Sequence, residues 1–393
     1  MKAKIYKYLS YLKRIIPYFY IFLPIYIKTL FKNKTKDDIW LISERGDEAR
    51  DNGYHLFKYI RTYYPEIKVY FVIDTKSSDY NKVSNYGNII ELQSKEHFEK
   101  FIYSNKLIST HMYGAAPYGK ACKPFLLMMK KKVHVNLKHG MTFNNFKLNE
   151  KNIDLLICGS EREKNSYERS NEKVKKSLQA LGLCRFDNLK DQSTKNERII
   201  LIMPTFRRWL EDLSRIPNSI NLFKQDDYYL YWKKLLESKK LQLLLEEENV
   251  KIIFYPHYRS QKYLQEFKVK NKNIVYANKK EYDIQSLLKK SSLLITDYSS
   301  VHFDFAYMTK PVIYYQFDSD KFYKTQYKLK YTFEEAGLGP VTYNVEQIEN
   351  EIIKVVKNNF IMANNYKERL KETFKYQDDK NTKRNFLAIK NLK

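Results

Sequence analysis

The sequence predicts an α/β protein of two domains, each built on a parallel sheet with helices packed against it. The chain has 393 residues, which is more than one ordinary hydrophobic core accommodates. Short apolar runs typical of buried strands recur along it, separated by stretches long enough for a helix. A polar stretch without periodicity, residues 188–197, separates these runs into two groups. We therefore expect domains at 37–190 and 191–393.

Composition limits the possible partners and cofactors. Lys and Arg number 71 against 45 Asp and Glu, and the resulting formal charge of +26 favours an anionic partner such as nucleic acid, acidic lipid or a phosphate-rich substrate. The lysines are spread along the whole chain and no nucleic-acid-binding motif stands out, so we expect no nucleic acid partner. Cys122, Cys158 and Cys184 lack metal-ligand spacing. We expect no disulfide framework, no metal and no cofactor, and a reducing cytoplasm.

Residues 1–36 differ from the rest of the chain. Lysines flank an aromatic and aliphatic run, 15–27, that is shorter than the roughly 20 residues needed to span a bilayer and is interrupted by Pro17 and Pro24. This pattern predicts a segment that lies on an anionic membrane surface. A signal peptide is an alternative, although no small-residue cleavage site follows. A helix packed on the body of the protein is another.

The first domain begins with alternating strand and helix patterns. The predicted strands are 39–42, 69–73, 88–92, 107–109, 133–137 and 153–160. Such a series is typical of a parallel sheet. Arg45, Gly46 and Asn52 lie at or beyond a strand end, where open α/β sheets bind ligands. They are candidates to line an acceptor site, with a solvated loop as the alternative.

His139 and Gly140 directly follow the predicted strand 133–137. A histidine at a strand end can direct its ring into a ligand site, and the glycine permits close approach of the backbone. Imidazole titrates near neutral pH, so His139 is the candidate general base for activating a hydroxyl. The alternative for a lone histidine is a structural role.

The second domain repeats this arrangement. Predicted strands 198–203, 251–255 and 274–276 are joined by a predicted helix at 228–249, and another helix is expected at 346–375. Thr205 and Arg207 follow the first strand, and a guanidinium there can hold a phosphate with two parallel hydrogen bonds. A surface arginine is the alternative. His257 follows the second strand, as His139 follows its own strand in the first domain.

Residues 293–317 form a predicted β-α-β unit. The strand ends at Thr296, the helix begins near Ser300, and Pro311 stops it before the next apolar run. The hydroxyls of Ser299 and Ser300, together with free backbone N–H groups, predict an anion site flanked by Asp297 and Asp304. The alternative is that the serines only cap the helix.

The segment ITDYSSVHFDFAYMTKPVIYY, residues 295–315, resembles the signature of the CDP-glycerol glycerophosphotransferase family, whose members make teichoic acids and related capsule polymers. Further matches follow the family's order and extend the resemblance over about residues 137–341. They are Lys138-His139-Gly140, Met203-Pro204-Thr205-Phe206-Arg207, Tyr255-Pro256-His257 and Gly339-Pro340.

The resemblance implies a GT-B architecture, in which two Rossmann-like domains face a central cleft. It implies transfer of an alditol phosphate from a CDP-alditol to a hydroxyl of a lipid-linked glycan or polyol-phosphate acceptor, with release of CMP, on the cytoplasmic face of the cell membrane. His139 and His257 are then catalytic, with His139 as the base, although the reverse assignment stays open. The implied substrate-binding residues are Gly140, Thr205, Arg207, Thr296, Asp297, Ser299, Ser300 and Asp304.

Other functions remain compatible with the sequence. A GT-B glycosyltransferase that uses a nucleotide sugar is the main alternative, and a non-catalytic protein that binds a membrane surface or nucleic acid is suggested by charge alone. The sequence does not distinguish glycerol from ribitol donors or a primase from a polymerase.

Overall fold

The computed structural model describes residues 2–31, 38–129, 131–142, 153–170, 176–211, 213, 218–326 and 331–392, without the side chains of 2–8 and 168–170. Residues 32–36 of the expected membrane segment therefore lie outside the described residues. The chain divides into two compact units. Described residues up to 141, between 153 and 187, and from 378 to 392 belong to the first unit, and the second consists mainly of residues 188–377.

The first unit contains a seven-stranded, fully parallel sheet in the order β3-β2-β1-β4-β5-β6-β7. Its strands are β1 Trp40–Ser43, β2 Val69–Ile73, β3 Ile89–Glu91, β4 Lys106–Ser109, β5 Val133–Asn136, β6 Leu155–Cys158 and β7 Leu178–Ala180. Every residue of β1, β4 and β6 is buried. Such continuous burial is expected for a sheet that is covered on both faces.

Helices cover this sheet on both faces. They are α1 Lys2–Pro17, α2 Leu23–Leu30, α3 Asn52–Tyr63, α4 Tyr80–Ser84, α5 Lys95–Tyr103, α6 Lys123–Leu126 and α7 Glu161–Ser170, with single turns of 3₁₀ helix at Gly119–Cys122 and Cys184–Asn188. Leu56, Phe57 and Ile60 of α3 pack into one core cluster with Trp40. A second cluster includes Phe98 and Phe101 of α5 together with Leu41 and Val72. Alternate residues of the strands thus pack into the two cores, one on each face of the sheet.

Residues 2–31 form one helical segment whose helices α1 and α2 are joined by a π-helical turn, Tyr18–Phe22. Tyr18 and Phe22 are fully buried against the first unit, where the Tyr18 ring stacks on Phe125 at 4.4 Å. Part of this segment therefore packs on the body of the protein. Its other side exposes apolar rings, with Tyr20 79% and Phe31 85% accessible. Among the described helices, none is both long and apolar enough to cross a bilayer.

The second unit contains a six-stranded parallel sheet in the order β10-β9-β8-β11-β12-β13. Its strands are β8 Arg198–Met203, β9 Val250–Phe254, β10 Ile274–Tyr276, β11 Leu293–Thr296, β12 Val312–Tyr315 and β13 Val341–Thr342. Its helices are α8 Arg208–Glu211, α9 Ser219–Gln225, α10 Asp227–Glu237, α11 Lys239–Glu247, α12 Ile284–Lys290, α13 Val301–Tyr307, α14 Ser319–Thr325, α15 Phe333–Ala336, α16 Val345–Lys357 and α17 Asn364–Thr373, with a 3₁₀ segment Gln261–Phe267.

Two expected helices are each divided in the structure. The region 228–249 forms α10 and α11, because Ser238 leaves the helical conformation and its hydroxyl accepts a hydrogen bond from the N–H of Leu241. The region 346–375 forms α16 and α17, because Asn359 and Phe360 have positive φ angles of 51° and 57°. Left-handed residues end a helix.

The last helix, α18 Asn381–Lys390, packs in the first unit rather than in the second, to which its position in the sequence assigned it. Phe386 and Ile389 are fully buried in the cluster around Trp40. The Asp187 carboxylate accepts hydrogen bonds from the backbone N–H groups of Asn381 and Thr382 at 2.8 and 2.7 Å. Apolar burial and an anchored first turn thus hold the C-terminal segment in the first unit.

Candidate active site

Polar side chains collect at the carboxyl ends of the strands in each unit, near the point where the strand order reverses. In the first unit this point lies between β1 and β4, and in the second between β8 and β11. At such a point the connections leave the sheet in opposite directions and open a crevice in which α/β proteins bind ligands. Most site residues predicted from sequence lie on the loops after these strands or their neighbours, whereas Thr296 ends β11 and Asp304 lies within α13.

His139 lies beyond the end of β5, and its ring is held by a buried carboxylate. The Nδ1 atom of His139 hydrogen-bonds Oδ2 of Asp51, while 55% of the His139 side chain stays accessible. Since an ionised carboxylate only accepts hydrogen bonds, Nδ1 carries the proton and the lone pair of the neutral ring lies on Nε2. The geometry suits a base that takes a proton at Nε2.

The Asp51 carboxylate is fixed by two further contacts. Its Oδ1 atom pairs with Nη1 of Arg185 at 2.7 Å and accepts the backbone N–H of Asn52 at 2.8 Å, where Asp51 caps α3. Burial raises the pKa of Asp51, but the Arg185 charge and the hydrogen bond from His139 outweigh it and lower the pKa to about 2. Asp51 is therefore ionised throughout the physiological pH range.

The backbone on either side of His139 is also held. Lys138 has a left-handed φ of 54°, and its ammonium pairs with Glu163 and donates to the Tyr167 hydroxyl at 2.9 Å. The Asn52 side chain donates to the Lys138 carbonyl at 2.8 Å. Gly140 follows as a half-buried residue. His139 thus stands on a rigid turn rather than on a loose loop.

The loop that carries Asp51 contains a second buried carboxylate, that of Glu44. Glu44 is almost fully buried, and its oxygens accept hydrogen bonds from the backbone N–H groups of Arg50, Asp51 and Tyr54 at 2.7 to 2.9 Å. Burial, followed by the charge of Asp51, raises the pKa of Glu44 to about 8. Glu44 shapes the loop between β1 and α3 that presents Asp51.

In the second unit, Thr205, Arg207 and Asp297 form one buried cluster. The Asp297 carboxylate accepts the N–H of Thr205 at 2.9 Å and pairs with Nη2 of Arg207 at 2.9 Å. Asp318, after β12, binds the same guanidinium through Nε at 2.6 Å. This cluster fixes the loops that follow β8, β11 and β12.

Arg207 is buried, and its guanidinium is held by protein acceptors. Its side chain has no accessible surface, and beyond the two carboxylates it donates to the Thr205 carbonyl at 2.7 Å. The expectation that Arg207 contacts a diphosphate is not supported by this geometry, because a phosphate would have to displace a buried ion pair. The sequence alone could not identify the two carboxylates that hold it.

Thr296 and Asp304 are buried as well. The Thr296 hydroxyl donates to the Met203 carbonyl at 2.7 Å and so joins the ends of β11 and β8, which makes it a structural residue. Asp304 is 4% accessible within α13. Neither side chain is exposed to a ligand in this structure.

Ser299 and Ser300 precede α13 and differ in their contacts. The Ser299 hydroxyl accepts a long hydrogen bond, 3.4 Å, from the N–H of Val301. Ser300 is exposed and occupies the cap position, yet within the described residues its hydroxyl makes no capping hydrogen bond. Among the predicted site residues near the end of β11, Ser300 is therefore the exposed one.

His257 lies beyond the end of β9, half-buried beside Phe206, with the two ring centroids 4.8 Å apart. The His257 N–H donates to the Pro204 carbonyl at 3.0 Å. Its Nδ1 atom accepts the N–H of Arg259 at 3.3 Å. This contact favours the neutral tautomer with its proton on Nε2, the opposite of His139.

The sequence analysis did not identify Asp51, Arg185, Glu44 or Asp318 as site residues. Asp51 directly precedes a helix that follows β1, which is a signal for a capping residue near a strand end. Arg185 lies in the 3₁₀ turn Cys184–Asn188. Within the described parts of the chain, no group of three His, Cys, Asp or Glu residues is arranged to hold a metal ion.

Comparisons with known proteins agree with these motifs. The profile of the family described as CDP-Glycerol:Poly(glycerophosphate) glycerophosphotransferase matches residues 25–390. The minor teichoic acid biosynthesis protein GgaB of Bacillus subtilis (strain 168) is 33% identical over 378 residues, which are 93% of this chain and 41% of that protein. The chain thus spans about two fifths of the length of this curated relative.

Solved structures are similar in fold. A variant of the wall teichoic acid polymerase TagF has a TM-score of 0.67 at 16% identity, covering 99% of this chain and 98% of that chain. A putative UDP-N-acetylglucosamine 2-epimerase from Listeria monocytogenes has a TM-score of 0.55 at 14% identity, covering 90% and 96%. At these identities the likeness shows the fold alone. The predicted α/β fold with two parallel sheets is confirmed.

Proposed function

Because the chain belongs to the CDP-glycerol:poly(glycerophosphate) glycerophosphotransferase family, we propose that it transfers an alditol phosphate from a CDP-alditol to an acceptor hydroxyl and releases CMP. Glycerol phosphate is the first choice of alditol phosphate, and ribitol phosphate is the second. The acceptor is a lipid-linked glycan or polyol phosphate of teichoic acid or capsule synthesis. GgaB, named for teichoic acid biosynthesis, supports this assignment through its similarity over most of the chain.

The opposite hydrogen bonding of Nδ1 in the two strand-end histidines is the observation that supports the proposal. His139 presents a lone pair at Nε2 because Asp51 holds the proton on Nδ1. His257 presents an N–H at Nε2 because its Nδ1 accepts a backbone hydrogen bond. Transfer of a phosphate group to a hydroxyl needs a base that takes the hydroxyl proton. It also needs a hydrogen-bond donor that stabilises charge on the phosphate oxygens.

The reaction then proceeds as one displacement at phosphorus. Nε2 of His139 removes the proton of the acceptor hydroxyl while its oxygen attacks the phosphorus that bears the alditol. The bond from this phosphorus to the bridging oxygen breaks, and CMP leaves with the electron pair. A phosphodiester forms, and the Asp51 carboxylate stabilises the imidazolium of His139.

We assign the donor phosphates to the second unit. His257 follows β9 and Ser300 follows β11, two strands of one sheet that are separated by β8. The Nε2–H of His257 and the exposed hydroxyl of Ser300 can neutralise charge on the phosphate oxygens. Arg207 acts as a positioning residue, since it orders the loops that carry Thr205 and Asp297. In the GT-B arrangement that we propose, the two strand-end sites would have to meet across a cleft.

The test is CMP release from CDP-glycerol and CDP-ribitol with a lipid-linked acceptor. We expect turnover of one donor, its loss in His139→Ala, and a raised donor KM in Ser300→Ala. Ser286→Ala is the matched control, because Ser286 is an exposed serine in the first turn of another helix of the same unit. Absence of release from either donor by folded protein, with turnover of a nucleotide sugar, would overturn the proposal.

We further propose that residues 2–31 attach the protein to the cytoplasmic face of an anionic membrane. Phe19, Tyr20 and Phe31 are exposed on a segment that also carries exposed Lys13 and Arg14. Exposed aromatic side chains between basic residues favour the headgroup region of a bilayer. The buried Tyr18 and Phe22 described above would keep this surface in a fixed orientation.

Residues around α6 extend the same surface. Leu127 is 90% accessible, and the adjacent Met128 carbonyl accepts a hydrogen bond from the Tyr26 hydroxyl of α2. This contact places an exposed leucine beside the N-terminal segment.

The cysteines Cys122, Cys158 and Cys184 are unpaired and buried, which is compatible with a reducing compartment.

A further inference from the structure

The side chains of Arg45 and His111 form a contiguous group with His139, the proposed base of the first unit. Arg45 follows β1 and His111 follows β4, two neighbouring strands between which the strand order reverses. The Nε–H of Arg45 donates to Nε2 of His111 over 3.4 Å, a long hydrogen bond. The ring centroids of His111 and His139 lie 5.4 Å apart. Arg45 is therefore linked to the base through one intervening imidazole.

His111 is held neutral in this arrangement. Its Nε2 atom accepts from Arg45, so the proton of the neutral ring lies on Nδ1, which is 2.9 Å from the Thr110 hydroxyl oxygen. Burial, followed by the charges of His139 and Arg45, lowers the pKa of His111 to about 4. The positive charge of this pair therefore resides on Arg45.

Arg45 itself is partly open to solvent. Its side chain is 37% accessible, and its Nη1 atom lies 3.7 Å from the Glu48 carboxylate, which is 30% accessible. Such a partly exposed contact contributes little, so an anion can replace it. Glu44 and Asp51, the two other carboxylates described on this loop, are buried and bound by their own partners. A guanidinium suits a phosphate because its planar N–H groups match two oxygens.

We propose that Arg45, oriented by His111, binds the anionic phosphate of an alditol phosphate acceptor, next to the hydroxyl that His139 activates. The enzyme would thus recognise an acceptor that already carries an alditol phosphate in preference to an uncharged one. This inference rests on the proposed function, because it names the acceptor class of the same site.

A matched pair of soluble probes tests it on the full chain. One probe is two glycerols joined by a phosphodiester, and the other is diglycerol, in which an ether replaces the phosphodiester. CMP release from CDP-glycerol gives kcat/KM for each probe. We expect Arg45→Gln to lower kcat/KM for the phosphodiester by roughly tenfold to a hundredfold, the range for loss of a charge-assisted hydrogen bond. The values for diglycerol and the KM for CDP-glycerol should not change.

Two further variants separate binding from structure. Arg45→Lys should restore part of the phosphodiester activity, because it keeps the charge without the planar fork. Arg61→Gln removes one positive charge from the same unit at a residue that donates to the Tyr86 carbonyl, and it should leave the ratio between the probes unchanged. Equal loss for both probes in Arg45→Gln, a raised KM for CDP-glycerol, or no loss at all would overturn the proposal.

Direct binding distinguishes failure of this inference from failure of the proposed function. Calorimetry of the phosphodiester probe with wild type and Arg45→Gln needs no turnover. If wild type releases no CMP but binds the probe, and Arg45→Gln does not, the anion site stands and the reaction assignment falls. If wild type turns over both probes equally and Arg45→Gln binds the phosphodiester as wild type does, the anion site falls alone.

Discussion

His139 and His257 are hydrogen-bonded through Nδ1 in opposite senses. His139 donates from Nδ1 to the Asp51 carboxylate, whereas His257 accepts at Nδ1 from the backbone N–H of Arg259. The proposed division of roles follows from this difference, because the second ring nitrogen is an acceptor in one residue and a donor in the other. Each histidine follows a strand of a parallel sheet, so each ring is positioned by a rigid element.

Asp51→Asn should reduce turnover far more than substrate binding. An amide no longer fixes the proton of His139 on Nδ1, so the ring populates the tautomer that lacks a lone pair at Nε2. We expect kcat for CMP release to fall by roughly 10²- to 10⁴-fold, with little change in KM. Asp79→Asn is the matched control, since Asp79 also pairs with an arginine of this unit, Arg50. An equal fall in kcat in both variants would contradict an orienting role for Asp51.

Arg207→Met should destabilise the second unit. Removal of the guanidinium leaves Asp297 and Asp318 buried without their cation, which typically costs about 3–5 kcal/mol. The free energy of unfolding in urea, measured with a signal that reports on the second unit, gives this loss. Arg208→Met is the control, because the next arginine in the chain is exposed. Similar stability of the two variants would refute the structural role of Arg207.

Acid should destabilise the second unit through His302. Burial lowers the pKa of His302 to about 3, compared with 6.5 when exposed. The histidine is neutral when folded, so its contribution is present above pH 6.5 and is lost as the pH falls towards 3. Between pH 7 and pH 5 the contribution of His302 to the free energy of unfolding falls by about 2 kcal/mol. Urea unfolding at both pH values should show a smaller difference in His302→Gln.

Phe303→Leu provides the control for that experiment. It shortens a buried side chain in the same helix, α13, without removing a titratable group. We therefore expect lower stability at both pH values and an unchanged difference between them. An unchanged difference in His302→Gln as well would assign the acid sensitivity to other groups.

Removal of exposed aromatic rings from the N-terminal segment should weaken membrane binding. Phe19→Ser, Tyr20→Ser and Phe31→Ser combined should lower partitioning onto vesicles with anionic lipid by at least roughly tenfold, because each ring loses an apolar environment. Sedimentation with vesicles measures this. Leu243→Ser with Ile361→Ser is the control, since both residues are exposed apolar residues of the second unit. If both sets of changes reduced binding equally, residues 2–31 would not be the attachment site.

The sequence predicted the parts of the fold that depend on local pattern. Strands Val69–Ile73, Arg198–Met203 and Ile274–Tyr276 match their expected bounds, because buried parallel strands are short, continuous apolar runs. The break at Asn359 was missed, since left-handed geometry at Asn and Phe has a weak local signal. The family resemblance is confirmed.

The candidate site was predictable where function depends on strand ends and not where it depends on distant partners. His139, His257 and Ser300 follow strands, and their positions could be inferred from sequence. Arg207 could not be recognised as buried, because Asp318 lies 111 positions away and meets it only in the folded sheet. Asp51 and Arg185 are separated by 134 positions for the same reason.

The placement of α18 makes completion of the first unit depend on prior synthesis of the second. Phe386 and Ile389 complete the core around Trp40, and Asn381 is tied to Asp187. A ribosome therefore produces all of residues 188–377 before the first unit receives its last core residues. The second unit can fold while the first still exposes an apolar gap to chaperones and proteases.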